Sequence, residues 1–193
     1  MSYASLEYEK ALALGQKEYK ACQAKGLPLY PPVLDEVLTG VDTRGEVELG
    51  LVDVPIHLIT GTRSAGRQRA FSPSFYPLLG ADTELAAKWT ALCSAHLSEG
   101  INEPIKVYEY LHDFYVQEGH KRVSVLRYFG AITIPAMVTR ILPPDDGSLT
   151  SRIYQEYLDF YHLTGINYLW FTETGRFARL QSLLGKGPKE PWT

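Results

Sequence analysis

The chain has 193 residues, of which 45% are hydrophobic and two are cysteines, and its formal net charge is -3. That is enough for one core of about 100 to 150 residues with a helical extension, and too little positive charge for a protein that holds duplex DNA through a strongly basic face. No apolar run reaches the roughly 18 residues a membrane span needs, and charge interrupts the first twenty positions every few residues, so no membrane partner and a cytoplasmic location are expected.

Residues 4 to 24 read as a helix, because Tyr8, Leu12, Gly15, Tyr19 and Cys22 recur at three- and four-residue steps. The prolines of "GLPLYPPVLDEVL" forbid a regular helix and predict an extended connection before a short helical turn. "VELGLVDVPIHLI", Val47 to Ile59, reads as one strand, bent at Gly50 or Pro55. The segment "TGTRSAGRQRAF" follows as a loop carrying Arg63, Arg67 and Arg69 and no acid. Asp82 is placed to cap a helix running to about Ser98, with Leu85, Trp89, Leu92, Cys93 and His96 inward. "PIKVYEY" and "FYVQE" form a hairpin across "LHD", and a helix from His120 to Tyr128 buries Val123, Leu126 and Phe129. "ITIPAMVTRI" is a further strand. Two helices close the chain, one lined by Tyr154, Tyr157, Leu158 and Tyr161, the other by Phe177, Leu180, Leu183 and Leu184. Both cysteines, Cys22 and Cys93, fall on apolar helix faces as buried free thiols.

The most informative stretch is "QEGHKRVSVLRYFG". A strand that ends in glycine and opens directly into a helix presents unpaired N–H groups and the positive end of the helix dipole at one point, which attracts anions. Gly119 admits a phosphate to the backbone, and Lys121 and Arg122 add charge-assisted hydrogen bonds. Glu118 and His120 flank the spot as candidate acid or base groups. Ser124, one turn in, reads as an exposed or phosphate-adjacent hydroxyl. The alternative is a tight turn with a solvated first helical turn. The two readings separate at Arg122: a phosphate contact predicts that Arg122→Ala loses affinity and keeps the fold.

Four pieces in chain order resemble the ParB/sulfiredoxin superfamily: Gly100-Ile101, Pro104-Ile105-Lys106-Val107, Gly119-His120-Lys121-Arg122, and Ile134-Pro135-Ala136-Met137-Val138. The resemblance covers residues 46 to 141. It implies an α+β fold, a small mixed sheet with helices packed around it, flanked by helical extensions at 1 to 45 and 142 to 193. Sulfiredoxins carry a catalytic cysteine directly after the glycine, and His120 stands there, which excludes their sulfinic acid reductase chemistry. Chromosome-partitioning ParB proteins bind CTP through a Gly-Glu-Arg-Arg box, which Lys121 and Arg122 match only in its basic half; no helix-turn-helix follows. The box of ParB-like free serine kinases, Asp-Gly-His-Thr-Arg, is most similar to Glu118–Arg122. By that resemblance Glu118 takes the acid's place, His120 and Arg122 contact phosphate, and the loop of Arg63, Arg67 and Arg69 lies near the same pocket. Those kinases also need a glutamate in the loop after the first strand, and "TGTRSAGRQRAF" has none.

The expectation is therefore a regulatory or sensing domain that binds ATP, ADP or CTP, with or without Mg2+, or another phosphoanion. The alternatives are a small-molecule kinase or nucleotidase using the Glu118–Arg122 box, and a DNA-binding regulator using the arginine loop with Lys121, Arg122 and Arg127. The aromatic C-terminal segment is expected to pack back on the sheet or the first helix, with a homodimer interface as the alternative. The chain also resembles the cytosolic module that precedes a ligand-binding domain in some bacterial proteins, which makes "GKGPKEPWT" the start of a linker.

Overall fold

A computed structural model of the chain describes residues 2–187 and 192. The elements in order are α1 (Tyr3–Ala24), α2 (Leu34–Val37), β1 (Glu46–Pro55), β2 (Ile59–Thr62), α3 (Glu84–Glu99), β3 (Ile105–Tyr110), β4 (Asp113–Glu118), α4 (His120–Tyr128), β5 (Thr133–Ile141), α5 (Leu149–Thr164) and α6 (Arg176–Leu183). Short 3₁₀ segments occupy Ile56–Leu58 and Ala65–Ala70. The fold is α+β. The five strands form one mixed sheet in the order β1-β5-β3-β4-β2, with β1/β5 and β3/β4 antiparallel and β5/β3 and β4/β2 parallel.

The first predicted strand stops at Pro55, and its last residue, Ile59, begins a second strand at the opposite edge of the sheet that runs into the predicted loop as far as Thr62. β1 shifts register between Glu48 and Gly50 and ends at Pro55. The 3₁₀ turn then carries the chain across, and β2 pairs in parallel with β4. A continuous β-branched run gave no sign of the crossing, because proline marks where a ladder stops and not where the chain goes next.

The core beneath the sheet is built from alternating positions: Ile105 and Val107 on β3, Phe114 and Val116 on β4, Ile134, Ala136 and Val138 on β5. Val123 and Leu126 of α4 pack on it. A second cluster joins α1, α3 and α4 through Ala4, Tyr8, Ala11, Trp89, Cys93 and Val125. Tyr8 and Trp89 meet edge to face with ring centroids 5.4 Å apart. Thr83, not Asp82, caps α3, its side chain accepting from Ala86 N–H at 3.3 Å. Cys93 is fully buried, whereas Cys22 is only partly buried.

The C-terminal aromatics turn inward. Tyr154, Tyr157, Phe160 and Phe177 form a buried cluster flanked by Tyr161, Trp170 and Phe171, while Tyr168 stays 57% exposed. Leu183 and Leu184, expected to line the last helix, face solvent. The cluster is anchored to the sheet by a buried polar network. Glu109 Oε2 accepts from Arg140 Nε at 2.5 Å, and Tyr154 Oη donates to the same carboxylate at 2.8 Å. The β3–β4 hairpin turn holds Leu111 and His112 at positive φ, 51° and 73°, where bulky residues are strained. His112 N–H donates to Glu109 Oε1 at 2.7 Å, and its ring stacks on Trp170 with centroids 4.9 Å apart. The C-terminal segment thus holds the strained turn in place. Of the predicted linker at 185 to 193, residues 188–191 and 193 lie outside the described residues.

Candidate functional site

β4 ends at Glu118, Gly119 turns the chain with φ 104°, and α4 starts at His120. A side chain at 119 would collide with Ile105 on the neighbouring strand, so both the dihedral and the packing require glycine. No side chain caps α4. The N–H groups of its first turn therefore have no intrahelical partner and open into a cleft of about 450 Å³. The walls include Arg67 from the 3₁₀ segment, Lys88 and Leu92 from α3, Lys121 and Arg122 from α4, and two acids, Glu103 and Glu118.

His120 lines this cleft but is only 7% exposed. Its Nε2 lies 2.8 Å from Thr62 Oγ1, and its ring stacks over Phe71 with centroids 6.2 Å apart. Burial, with Arg67 and Lys121 nearby, pushes its pKa down to about 4. The imidazole is neutral at pH 7 and contributes a hydrogen-bonding group, not a charge. If the Thr62 hydroxyl donates to Nε2, then Nδ1 carries the proton and is a donor; if Thr62 donates to the carbonyl of Ser64 or Val116, Nδ1 is an acceptor.

Lys121 is half-buried, and burial with the neighbouring charges of Arg67 and Lys88 holds its pKa below the usual lysine range. Lys88 pairs with Glu84, but neither Arg67 nor Lys121 has an ion-pair partner among the described residues. Glu103 and Glu118 also line the cleft, but each is paired elsewhere, with Arg122 and Lys106, so Arg67 and Lys121 repel each other across it and a bound anion relieves that repulsion.

The remaining sequence candidates are placed differently. Glu118 lines the cleft but is 57% exposed and pairs with Lys106 across the hairpin at 3.0 Å, and that hydrogen bond holds its carboxyl below the usual range. A paired, exposed carboxylate of lowered pKa is a weak general base. Arg122 borders the cleft but is engaged: Nη1 donates to the Pro104 carbonyl at 2.6 Å and Nη2 pairs with Glu103 at 2.9 Å, leaving the side chain 14% exposed. It ties the segment before β3 to the first turn of α4. Ser124 is neither exposed nor beside the cleft; it is fully buried and accepts the Trp89 indole N–H at 3.0 Å.

The three loop arginines part company. Arg63 pairs with Asp35 and lies 4.9 Å over the Tyr108 ring. Arg67 enters the Gly119 cleft, and Arg69 faces a separate cleft beside α1. Arg127 donates to the Ile56 and Ile59 carbonyls at 2.5 and 2.8 Å and is largely buried, so it adds nothing to a basic face. Thr62 and Lys88 were not foreseen. Thr62 stood next to Arg63 in the quoted loop, but only the sheet brings it to His120; Lys88 carries no local signal beyond facing away from Trp89 on its helix.

Among the described residues no helix is long and apolar enough to cross a membrane. No family model matches the chain, and no curated protein matches it. Among solved structures it is similar to the sulfiredoxin from Arabidopsis thaliana, at 19% sequence identity and a TM-score of 0.33, over 46% of this chain and 82% of that one.

Proposed function

We propose that the cleft at the Gly119 turn binds a phosphorylated small molecule, with nucleotides such as ATP, ADP or CTP as the class to test first, and that the protein uses this binding for regulation or sensing. The observation that carries the reading is the combination of an uncapped helix N-terminus, a glycine at its base, and Arg67 and Lys121 in one cleft with no ion-pair partner among the described residues. Backbone N–H groups hold phosphate oxygens, Lys121 and Arg67 neutralise them, and neutral His120 adds one directed hydrogen bond. The resemblance of Glu118–Arg122 to the ParB-like phosphate box points the same way. No group of three or more His, Cys, Asp or Glu converges among the described residues, so Mg2+ would arrive on the phosphate oxygens of the ligand.

Binding is favoured over phosphoryl transfer because Glu118, the acid of the box, is paired with Lys106 and faces solvent. It is favoured over DNA binding because the arginines are divided among separate partners and clefts. Isothermal titration with ATP, ADP and CTP, with and without Mg2+, tests the reading. Saturable binding lost in Lys121→Ala supports it; no heat and no thermal shift with any of the three ends it.

A further inference from the structure

The N-terminal helix forms a second cleft, separate from the Gly119 turn, of about 270 Å³. We infer that this cleft, walled by Tyr19, Tyr30 and Arg69, is a binding site for a small planar anion of the aromatic carboxylate class. Tyr19 of α1 and Tyr30 of the following connection pack against each other with ring centroids 5.8 Å apart and planes inclined at 57°, and together they make one aromatic wall of the cleft. Leu78 and Leu79 give an apolar side, and Gln16 and Lys20 close the α1 edge. A cleft with one aromatic and one apolar wall takes a flat ring. At this volume, just under the usual range for drug-sized ligands, it takes a single ring.

The charge is one-sided. Arg69 and Lys20 have no ion-pair partner among the described residues, and no acid lines the cleft. The nearby acid, Glu18, is fully engaged. It accepts from the Ser72 and Ser74 hydroxyls at 2.5 Å each and from Ser74 N–H at 3.2 Å. Arg69 therefore offers a planar guanidinium fork that suits a carboxylate in two parallel hydrogen bonds.

The walls are fixed before any ligand arrives. Glu18 staples α1 to the 72–74 loop, and Tyr8 Oη donates to the Leu79 carbonyl at 2.7 Å. Gln68 Nε2 donates to the Pro31 carbonyl at 3.0 Å, holding the Tyr30 connection against the 3₁₀ segment that bears Arg69. Gly15 lets the helix press on the Pro77 carbonyl, where any side chain would collide. Such preorganisation lowers the ordering cost of binding.

The test is a titration of the full 15N-labelled chain with benzoate, compared with benzamide and inorganic phosphate. Benzoate is expected to shift amides of residues 16–20 and 69–79 saturably, with Kd below about 10 mM, and benzamide to bind about tenfold more weakly or worse. Arg69→Gln should weaken benzoate about tenfold or more, and Tyr19→Leu should do the same by removing the ring while keeping the spectrum dispersed. Lys121→Ala, at the other cleft, should leave benzoate affinity unchanged. The inference is overturned by absence of saturable shifts, by equal affinities for benzoate and benzamide, by phosphate displacing benzoate at equal concentration, or by unchanged binding in either variant. It stands or falls apart from the Gly119 reading, because the two clefts use different side chains and different probes.

Discussion

Arg122→Ala separates structure from ligand contact at the phosphate box. The guanidinium holds the Pro104 carbonyl at 2.6 Å and the Glu103 carboxylate at 2.9 Å, and its side chain is 14% exposed. A charged donor on a partly exposed carbonyl is worth about 1 kcal/mol net. The pair with Glu103, an exposed acid, adds about 0.3 kcal/mol. A cation in the first turn opposes the helix dipole, and its removal returns about 0.3 kcal/mol. The substitution should therefore destabilise the free protein by about 1 kcal/mol, lowering Tm by about 2 to 4 °C for a chain of this size. Nucleotide affinity, measured by titration calorimetry on the same preparation, should fall by less than about threefold, whereas Lys121→Ala should cost about tenfold or more. That reverses the expectation from sequence, lost affinity with an unchanged fold. If Arg122→Ala melts like the parent and loses binding more than about tenfold, the arginine leaves Pro104 for the ligand, and its assignment as a structural tie is wrong.

Glu118→Gln should leave nucleotide affinity equal or slightly tighter and change stability by less than about 0.5 kcal/mol, because its partner Lys106 is as exposed as it is; a collapse of binding by calorimetry would restore the acid to the site. His120, with a folded pKa of about 4, favours the neutral form, so its contribution is full above the unfolded pKa of about 6.5 and is lost as pH falls through the window to 4. Urea melts across that window should lose up to about 3 kcal/mol through this group. His112 shifts in the same direction, so the readout is the reduction of the slope in His120→Asn relative to the parent, and equal slopes would contradict the burial argument. Glu109→Gln breaks the buried pair with Arg140 beneath α5 and should cost about 3 to 5 kcal/mol. A loss below about 1 kcal/mol in chemical denaturation would mean that the network does not anchor α5.

What sequence reveals here is what is decided locally. The Gly119 turn was legible because strand, glycine and amphipathic helix follow within a few residues, and each signal is a period or a backbone requirement. The same holds for α1, α3 and the hairpin strands. The crossing from β1 to β2 was not, since the parallel pairing of β2 with β4 joins residues more than fifty positions apart and leaves no period in either. Nor was the Leu111–His112 turn. Neither residue is a turn former with positive φ, and what pays their strain is Glu109 below and Trp170 above, the latter from the far end of the chain.

The arginines make the limit sharper. Arg63, Arg67 and Arg69 are equivalent in sequence, three bases in one acid-free loop. The fold gives Arg63 an acid from α2 and a tyrosine face, turns Arg67 toward the Gly119 cleft, and sends Arg69 to the opposite side of the same short 3₁₀ segment. With about three residues per turn, positions two apart on such a segment face different directions, so a charge cluster in sequence divides in space. Arg122 is engaged for a related reason: Glu103 and Pro104 hold it, from a segment eighteen residues upstream. A cation is available to a ligand only where the fold supplies no acid of its own. By that criterion Arg67 and Lys121 are left for a ligand of the Gly119 cleft and Arg69 for one beside α1, and the affinities of the single variants at each cleft are what such a proposal must reproduce.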